Sequence, residues 1–382
     1  MNSKSSCWLH ALQCKVIVLL SILRPYLLLL VVGLLMLVLP ALGLVLSGQT
    51  IPDGVIGLPR TVKVEQPGLS QWVFFGLLGS VLLLVIPFYR QGLRERSDIL
   101  KKEGGAYPWW GWCGLVWSAA WWLIAWTRLP LFHVVQPYTF TPLWVGYIVV
   151  INALRYQRAR ECMLTHRWVY FLHLLVASAG FWWFFEYLNR YVNNWYYEGL
   201  PTASVLHYVV SATPPFATVL PAVLGTYEWL ETFPRFFGGL HAWRRLRFVS
   251  ALWFGVLLIV VGCATLFGLG LFPAQLYTLL WLSPLFVILG GQVVAGNCSL
   301  AASLERGDWR QVFLLCNAGL LCGFFWELWN LFSLAKWYYS VPYVQQWHVF
   351  EMPLPGYAGY LPFGIECGVV AMMFRRLGYR FE

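Results

Sequence analysis

Residues 181–201 read FWWFFEYLNRYVNNWYYEGLP, and residues 322–342, which begin 141 positions later, read CGFFWELWNLFSLAKWYYSVP. At this constant offset, residues 108–248 pair with residues 249–382. The identities include acids, amides, histidines and prolines, which coincide by chance less readily than the abundant Leu and Trp. Self-similarity at a fixed offset is the signature of a repeated structural unit. The sequence therefore predicts two tandem copies of one unit after an N-terminal segment at residues 1–107.

The composition decides the class of protein. Hydrophobic residues make up 59% of the 382 positions and charged residues 11%, whereas soluble domains contain about 25% charged residues. The apolar residues come in blocks of about twenty, the length of a helix that crosses a hydrocarbon core about 30 Å thick. The sequence therefore predicts an all-α polytopic integral membrane protein in the lipid bilayer, with about ten transmembrane helices at residues 26–46, 71–90, 108–128, 139–154, 168–188, 214–231, 249–271, 275–296, 311–332 and 358–375.

The distribution of basic residues predicts the orientation of these helices, because Lys and Arg concentrate in short cytoplasmic segments. With a cytoplasmic N-terminus, 21 of the 26 basic residues fall in inner segments; those in outer segments are Arg60, Lys63, Arg128, Arg190 and Lys336. We expect a bacterial inner-membrane protein with both termini in the cytoplasm. The net charge of +10 is spread over six inner segments, so it indicates topology and not nucleic-acid binding.

The predicted helices divide among three segments. Residues 1–107 hold two helices and a basic cytoplasmic loop, and residues 108–248 and 249–382 hold four helices each. An even number of helices brings both copies into the membrane in the same direction, so a twofold axis along the membrane normal would relate them. The sequence thus predicts two four-helix repeats in parallel orientation.

Each copy places a glutamate and an asparagine near the outer membrane surface. Glu186 and Asn189, like Glu327 and Asn330, are three positions apart and share one face of a helix. An ionisable group in a spanning helix is costly and normally faces protein or water. One interpretation is a pair of equivalent sites for a cation, a proton or the polar head of a ligand. The other is structural: each pair holds the loop that follows it.

Further polar residues extend this candidate site. Glu366 lies about eight residues into the last predicted helix, about 12 Å below its outer end, whereas Glu228 lies nearer the cytoplasmic end. His207 and His348 match between the copies and could titrate near neutral pH, relay protons or bind a metal, or form ordinary hydrogen bonds. The aromatic loop residues are predicted to form an interfacial belt; they are Trp195, Tyr196, Tyr197, Trp337, Tyr338 and Tyr339.

Prolines interrupt matching helices of the two copies, at residues 214–221 and 353–362. Proline removes a backbone donor and breaks regular helix, which membranes tolerate where the freed groups face protein or a wet cavity. Matching interruptions in two repeats are typical of transporter binding sites, where they supply free backbone groups and a hinge. Simple kinks are the alternative interpretation.

The leading functional hypothesis is a secondary transporter or permease with a polar site in the outer half, between the repeats. The sequence contains no GxxxxGK[ST], HExxH, GxSxG, CxxC or magnesium-binding carboxylate motif, so no cofactor or metal site is predicted. One alternative is a membrane enzyme acting on a lipid or isoprenoid, with Glu366 and Glu327 as acid and base and His348 as proton shuttle. Another is a structural subunit of a membrane complex. The residues predicted to bind an ion, or a lipophilic or small-molecule substrate, are Glu186, Asn189, Glu327, Asn330, His348 and Glu366.

Overall fold

The computed structural model is mostly helical (75%). It describes residues 23, 27–28, 30–48, 63–94, 104–200, 204–246, 252–296 and 299–374. The predicted inner basic residues at positions 4–24, 96–102, 247 and 375–380 lie outside these ranges. Within the described residues, six helices are long and apolar enough to cross a membrane, or seven if one bent pair counts as a single span. The architecture is that of an α-helical membrane protein, as predicted.

The described chain has a helix at every position where a spanning helix is predicted. The α-helices are α1 (Leu30–Leu46), α2 (Gln71–Gly92), α3 (Trp109–Trp126), α4 (Phe140–Ala159), α5 (Met163–His166), α6 (Trp168–Val192), α7 (Val205–Ala217), α8 (Val219–Leu230), α9 (Leu252–Leu271), α10 (Pro273–Leu276), α11 (Ser283–Val294), α12 (Ser299–Arg306), α13 (Arg310–Asn330) and α14 (Tyr360–Phe374). The strands are β1 (Trp195–Glu198), β2 (Lys336–Tyr339), β3 (His348–Val349) and β4 (Met352–Pro353). Short 3₁₀ turns lie at Pro130–Phe132, Gln136–Tyr138, Pro234–Phe236, Gly238–Leu240, Tyr277–Trp281 and Leu354–Gly359.

The helix contacts come in corresponding sets. Helix α3 packs along α4, and α9 packs along α11. Helix α8 lies against α4, α6 and α13, and α14 lies against α11, α13 and α6. Helices α8 and α14 also contact each other. The core is therefore the bundle of α6, α8, α13 and α14, and the hairpins α3–α4 and α9–α11 flank it.

Small residues bring α13 and α14 into direct backbone contact. A Cβ atom on Gly364 would overlap the carbonyl oxygen of Leu315, and one on Gly319 would overlap the carbonyl oxygen of Tyr360. Membrane helices approach this closely where glycine leaves room for the neighbouring backbone. The contact fixes Tyr360, at the start of α14, beside the last turns of α13.

At the first proline interruption, a serine side chain forms hydrogen bonds with the backbone groups on both sides of the break. Helix α7 contains Pro214 and Pro215 and is followed by α8 after a break at residue 218. The fully buried Ser178 hydroxyl donates to the carbonyl oxygen of Phe216 (2.6 Å) and accepts from the amide of Leu220 (3.0 Å). These two backbone groups are satisfied within the protein, as expected at a stable kink.

Residues 63–70, ahead of α2, lie against the end of α6 and the loop that follows β2. The Gln66 side chain donates to the carbonyl oxygen of Val192 (2.9 Å), and the Ser340 hydroxyl donates to that of Val64 (2.8 Å). The amide of Ser70 donates to the carbonyl oxygen of Tyr343 (2.9 Å). The N-terminal segment therefore joins both halves of the chain on this side.

Glu228, near the end of α8, forms an ion pair with Arg167, which precedes α6. Its carboxylate lies 2.6 Å from Arg167, and only 10% of its side chain and 17% of the Arg167 side chain are exposed. We expect Glu228→Gln to lower the free energy of unfolding by about 2–3 kcal/mol, because it removes the carboxylate charge that lies against a mostly buried guanidinium. Thermal unfolding in detergent measures the change. Glu161→Gln is the control, since 59% of that side chain is exposed; equal effects of the two substitutions would contradict the prediction.

Asp308 precedes α13 and gives the protein an acid-sensitive contact. Partial burial raises the pKa of Asp308, but hydrogen bonds from the Arg310 side chain and amide outweigh it and hold the pKa below the ordinary 3.8. A lowered pKa stabilises the fold above pH 3.8, and this stabilisation is lost as the pH falls through the folded-state value. Asp308→Asn should therefore show a smaller loss of melting temperature than the wild type between pH 5 and pH 3. Parallel melting curves for the two proteins would contradict this expectation.

Candidate functional site

The two predicted Glu–Asn pairs lie at corresponding places. Glu186 and Asn189 are in the last two turns of α6, and Glu327 and Asn330 are in the last turn of α13. All four side chains are fully buried. Both helices end here, and the chain then turns into β1 and β2.

The two asparagines hold the strands that follow. Asn189 donates to the carbonyl oxygen of Trp195 (2.8 Å) and accepts from the amides of Asn194 (2.8 Å) and Trp195 (3.3 Å). Asn330 donates to the carbonyl oxygen of Trp337 (2.8 Å) and accepts from its amide (2.9 Å). An asparagine side chain can donate and accept at once, so each one replaces a missing backbone partner. These contacts fit the structural interpretation of the asparagines, in which each one holds the loop that follows it.

Strands β1 and β2 form an antiparallel ribbon that joins the two halves of the chain. The register pairs Trp195 with Tyr339, Tyr196 with Tyr338, Tyr197 with Trp337 and Glu198 with Lys336. Directly opposed residues share a face of a ribbon, and alternate residues face opposite sides. The inner face therefore carries the two tryptophans with Tyr197 and Tyr339, and the outer face carries Tyr196 stacked on Tyr338, with ring centroids 5.6 Å apart.

Both glutamates accept hydrogen bonds from the inner face of this ribbon. Oε1 of Glu186 accepts from the hydroxyl of Tyr197 (2.5 Å) and from the indoles of Trp182 (3.1 Å) and Trp195 (3.2 Å). In each carboxyl group, Oε2 is buried and has no hydrogen-bond partner among the described residues.

Glu327 is held in the same manner. Its Oε1 accepts from the hydroxyls of Tyr339 (2.6 Å) and Tyr360 (2.7 Å), and the indole of Trp337 donates to the Tyr339 hydroxyl (2.9 Å). Burial and the adjacent Glu327 carboxyl raise the pKa of Tyr339 well above its ordinary value, and burial and Glu186 do the same for Tyr197. Both ribbon phenols therefore stay protonated and act as donors.

The ribbon corrects two expectations from the sequence. Trp195, Tyr197, Trp337 and Tyr339 form hydrogen bonds inside the protein, so the inner face of the ribbon is not part of an interfacial belt. The ungapped match paired Tyr197 with Tyr338, whereas Tyr197 and Tyr339 have the corresponding contacts. Because the turn after Asn330 is one residue longer than the turn after Asn189, the constant offset of 141 fails within the ribbon.

Aromatic rings connect the two carboxyl groups across the helix interface. Trp182, which donates to Glu186, lies 6.3 Å from Trp326 between ring centroids. Trp326 stacks at 5.8 Å on Tyr360, which donates to Glu327. A continuous line of ring contacts thus runs from one acid to the other.

Glu366 is separate from this pair. It lies on α14 six residues after Tyr360, about 9 Å further along the helix, and it is fully buried. Neither of its carboxyl oxygens has a hydrogen-bond partner among the described residues. A buried polar group without a partner costs free energy and calls for a functional explanation.

His348 lines a surface cleft of about 510 Å³ and not the buried acid pair. The cleft lies over the outer face of the ribbon, and it is bounded by Lys63, Val64, Glu65, Gln66, Pro67, Gly68, Leu69, Tyr196, Tyr338, Tyr339, Ser340, Val341, Gln345, His348 and Glu351. His207, which matches His348 in sequence, instead contacts the hydroxyl of Tyr138 at 3.0 Å. Tyr339 lines the cleft and also bonds Glu327, so it links the cleft with the buried acids.

The donor groups do not form a metal site in the described part of the chain, where no three His, Cys, Asp or Glu side chains cluster in a way that could hold an ion. Comparisons with family models, with curated proteins and with solved structures gave no match. The site geometry alone therefore supports the functional proposal.

Proposed function

We propose that this protein is a secondary transporter or permease of a bacterial inner membrane. Its site lies in the outer half of the membrane, where Glu186 and Glu327 lie beneath the ribbon with aromatic rings between them, and Glu366 lies deeper. The observation that carries the proposal is that three fully buried glutamates of one helix bundle have carboxyl oxygens without a hydrogen-bond partner among the described residues. Buried acids in spanning helices are typical of proton and ion pathways.

The proposed architecture has ten spanning helices, with both termini in the cytoplasm, and two parallel four-helix repeats at residues 108–248 and 249–382. Two features support the repeats: the corresponding helix contacts of α8 and α14, and the corresponding hydrogen bonds of the two Glu–Asn pairs. The pairing of β1 with β2 supports a common side for both pairs.

In the proposed mechanism the acids bind the coupling proton or cation, and the ribbon controls access from outside. Tyr197 and Tyr339 fasten the ribbon to Glu186 and Glu327. A proton or cation on either carboxyl weakens its attraction for the phenol, since hydrogen bonds to ionised acceptors are the stronger ones. Occupancy of the acids would then release the ribbon and open a path past Tyr339.

A second candidate function is acid catalysis on an isoprenoid or other lipid. The observation that favours it is the aromatic surroundings of Glu327, where Trp326 and Tyr360 stack and Phe363 lies 5.9 Å from Trp326. Ring faces stabilise positive charge, so a carboxylic acid here could protonate an alkene beside rings that stabilise the resulting carbocation.

The experiment identifies the bound molecule and then follows it. Small molecules and lipids that co-purify with the protein are identified by mass spectrometry, and each is offered to proteoliposomes under imposed proton and sodium gradients. Uptake of one compound should depend on a gradient. It should fall about tenfold or more in Glu327→Gln and Glu366→Gln, as expected when a charged contact is lost.

Glu161→Gln is the matched control, because it makes the same change at an exposed cytoplasmic position. Equal uptake by all four proteins would contradict the transporter proposal. Conversion of a lipid to a product of altered structure by the wild type, and not by Glu327→Gln, would replace it with the enzyme.

A further inference from the structure

We infer that the site between Glu186 and Glu327 takes an organic cation, an alkylated or quaternary ammonium or phosphonium group with apolar substituents. The inference rests on the proposed function and names the substrate class of the same site. The inference depends on two observations: each acid has one carboxyl oxygen without a partner among the described residues, and aromatic rings lie between the two acids.

Each acid is oriented so that one oxygen stays available. Hydrogen bonds from the surrounding Tyr and Trp side chains converge on Oε1 of Glu186 and of Glu327, and the two Oε2 atoms are buried without a partner in the described residues. Neither acid has an ion-pair contact within 4.0 Å between described residues. The charge of Arg190, one turn beyond Glu186, acts on that carboxyl from further away, and Lys336 pairs with Glu351 at 2.5 Å. The free oxygens thus present negative charge or a strong acceptor to a ligand.

Four aromatic rings lie between the acids. Trp182 is 6.3 Å from Trp326 and 5.8 Å from Phe363, and Trp326 is 5.8 Å from Tyr360. Aromatic faces attract cations, and cages of such rings recognise quaternary ammonium groups. Acids at both ends of a row of rings therefore give an environment that is negative and largely apolar.

This environment fits an organic cation better than a metal ion. Calcium and magnesium require about six oxygen ligands, whereas each acid here offers one free oxygen. An alkylated cation carries a diffuse charge and an apolar surface, so it leaves water more readily than a metal ion does. It can also contact the rings and a carboxylate at the same time.

Entry of such a cation requires movement, because the four rings are in contact in the structure. In this proposal the ribbon is the element that moves; its side chains attach to the acids through Trp195, Tyr197 and Tyr339. A cation that draws Glu327 away from Tyr339 would loosen the ribbon and also separate Trp326 from Tyr360.

The test uses radiolabelled tetraphenylphosphonium as the probe with the purified full-length protein. We expect saturable binding that benzyltrimethylammonium displaces and its uncharged isostere neopentylbenzene does not. Glu327→Gln and Glu186→Gln should weaken binding about tenfold or more, and Glu161→Gln should leave it unchanged. Absence of saturable binding, or equal binding by all variants, would overturn the inference.

Two further measurements keep this test decisive. If Glu327→Gln fails to fold, Trp182→Leu removes one ring and keeps both acids, and it should weaken displaceable binding; unchanged binding by this variant, together with normal folding, would overturn the role given to the rings. Proteoliposome flux separates the two proposals. If tetraphenylphosphonium binds but never crosses the membrane, the cation site stands and the transporter proposal is overturned. If another solute shows Glu327-dependent flux and no cation binds, the transporter proposal stands and the cation site is overturned.

Discussion

Gly364→Val is expected to remove the folded protein from the membrane almost entirely. Helices α13 and α14 touch through their backbones here, and a side chain on Gly364 would overlap the carbonyl oxygen of Leu315, which cannot rotate away. Overpacking of a well-packed core costs about 1–3 kcal/mol even where side chains can adjust. Separation of these helices would also move Tyr360 from Glu327.

Gly180→Val is the matched control. Gly180 lies in α6, is exposed, and has no atom within 4 Å of the position that a Cβ would occupy. The two variants are compared by membrane yield and by size-exclusion profile in detergent. A normal yield and profile for Gly364→Val would show that α13 and α14 are not packed as described.

Asn330→Ala is expected to destabilise the protein by about 3 kcal/mol, and Asn189→Ala by a similar amount. Each asparagine satisfies buried backbone groups of the ribbon, and each group left without a partner costs about 1–3 kcal/mol. Because the ribbon also binds Glu186 and Glu327, either substitution should expose the acids and raise the reaction of Glu327 with a carbodiimide.

The control for this pair is Gln346→Ala, an exposed amide on the same side of the protein. Unfolding is followed by intrinsic tryptophan fluorescence in detergent, and carbodiimide labelling by mass spectrometry. Asparagine variants as stable and as unreactive as Gln346→Ala would contradict the ribbon geometry.

The sequence predicted the helices well because each spanning helix carries its own signal. A block such as Leu252–Leu271 is apolar over its whole length, so it is recognised without knowledge of its neighbours. The Glu–Asn pairs were recognised for the same local reason, since residues three apart share a helical face. The burial of Glu186, Glu327 and Glu366 agrees with the rule that acids in spans face protein.

The ribbon and its contacts depend on residues far apart in the chain, which periodicity does not report. Tyr197 lies eleven residues after Glu186, and Tyr339 lies twelve after Glu327. Because these two separations differ by one residue, a comparison without gaps does not align Tyr197 with Tyr339. A search that allowed a gap after Asn330 would have aligned the two WYY motifs.

Glu228 and His348 show how the surroundings decide a role. Glu228 was a candidate because of its position in a predicted span, and its proximity to Arg167 follows from the packing of α6 on α8. His348 matches His207 in sequence, but of the two only His348 lines the cleft, because β3 and β4 precede α14 whereas α7 precedes α8. Residues that match in sequence therefore have different surroundings.

The most direct test of the central claim is a cross-link between the strands. Tyr196 and Tyr338 are opposite each other in the ribbon, and directly opposed Cα atoms, about 4.5–5.5 Å apart, fall within the range of a disulfide. In a background without the nine native cysteines, the double variant Tyr196→Cys/Tyr338→Cys should form a disulfide under mild oxidation. Each single variant should react with a membrane-impermeant maleimide from the outer side. Reaction of the two positions from opposite sides of the membrane, with no cross-link, would contradict the ribbon and the parallel repeats.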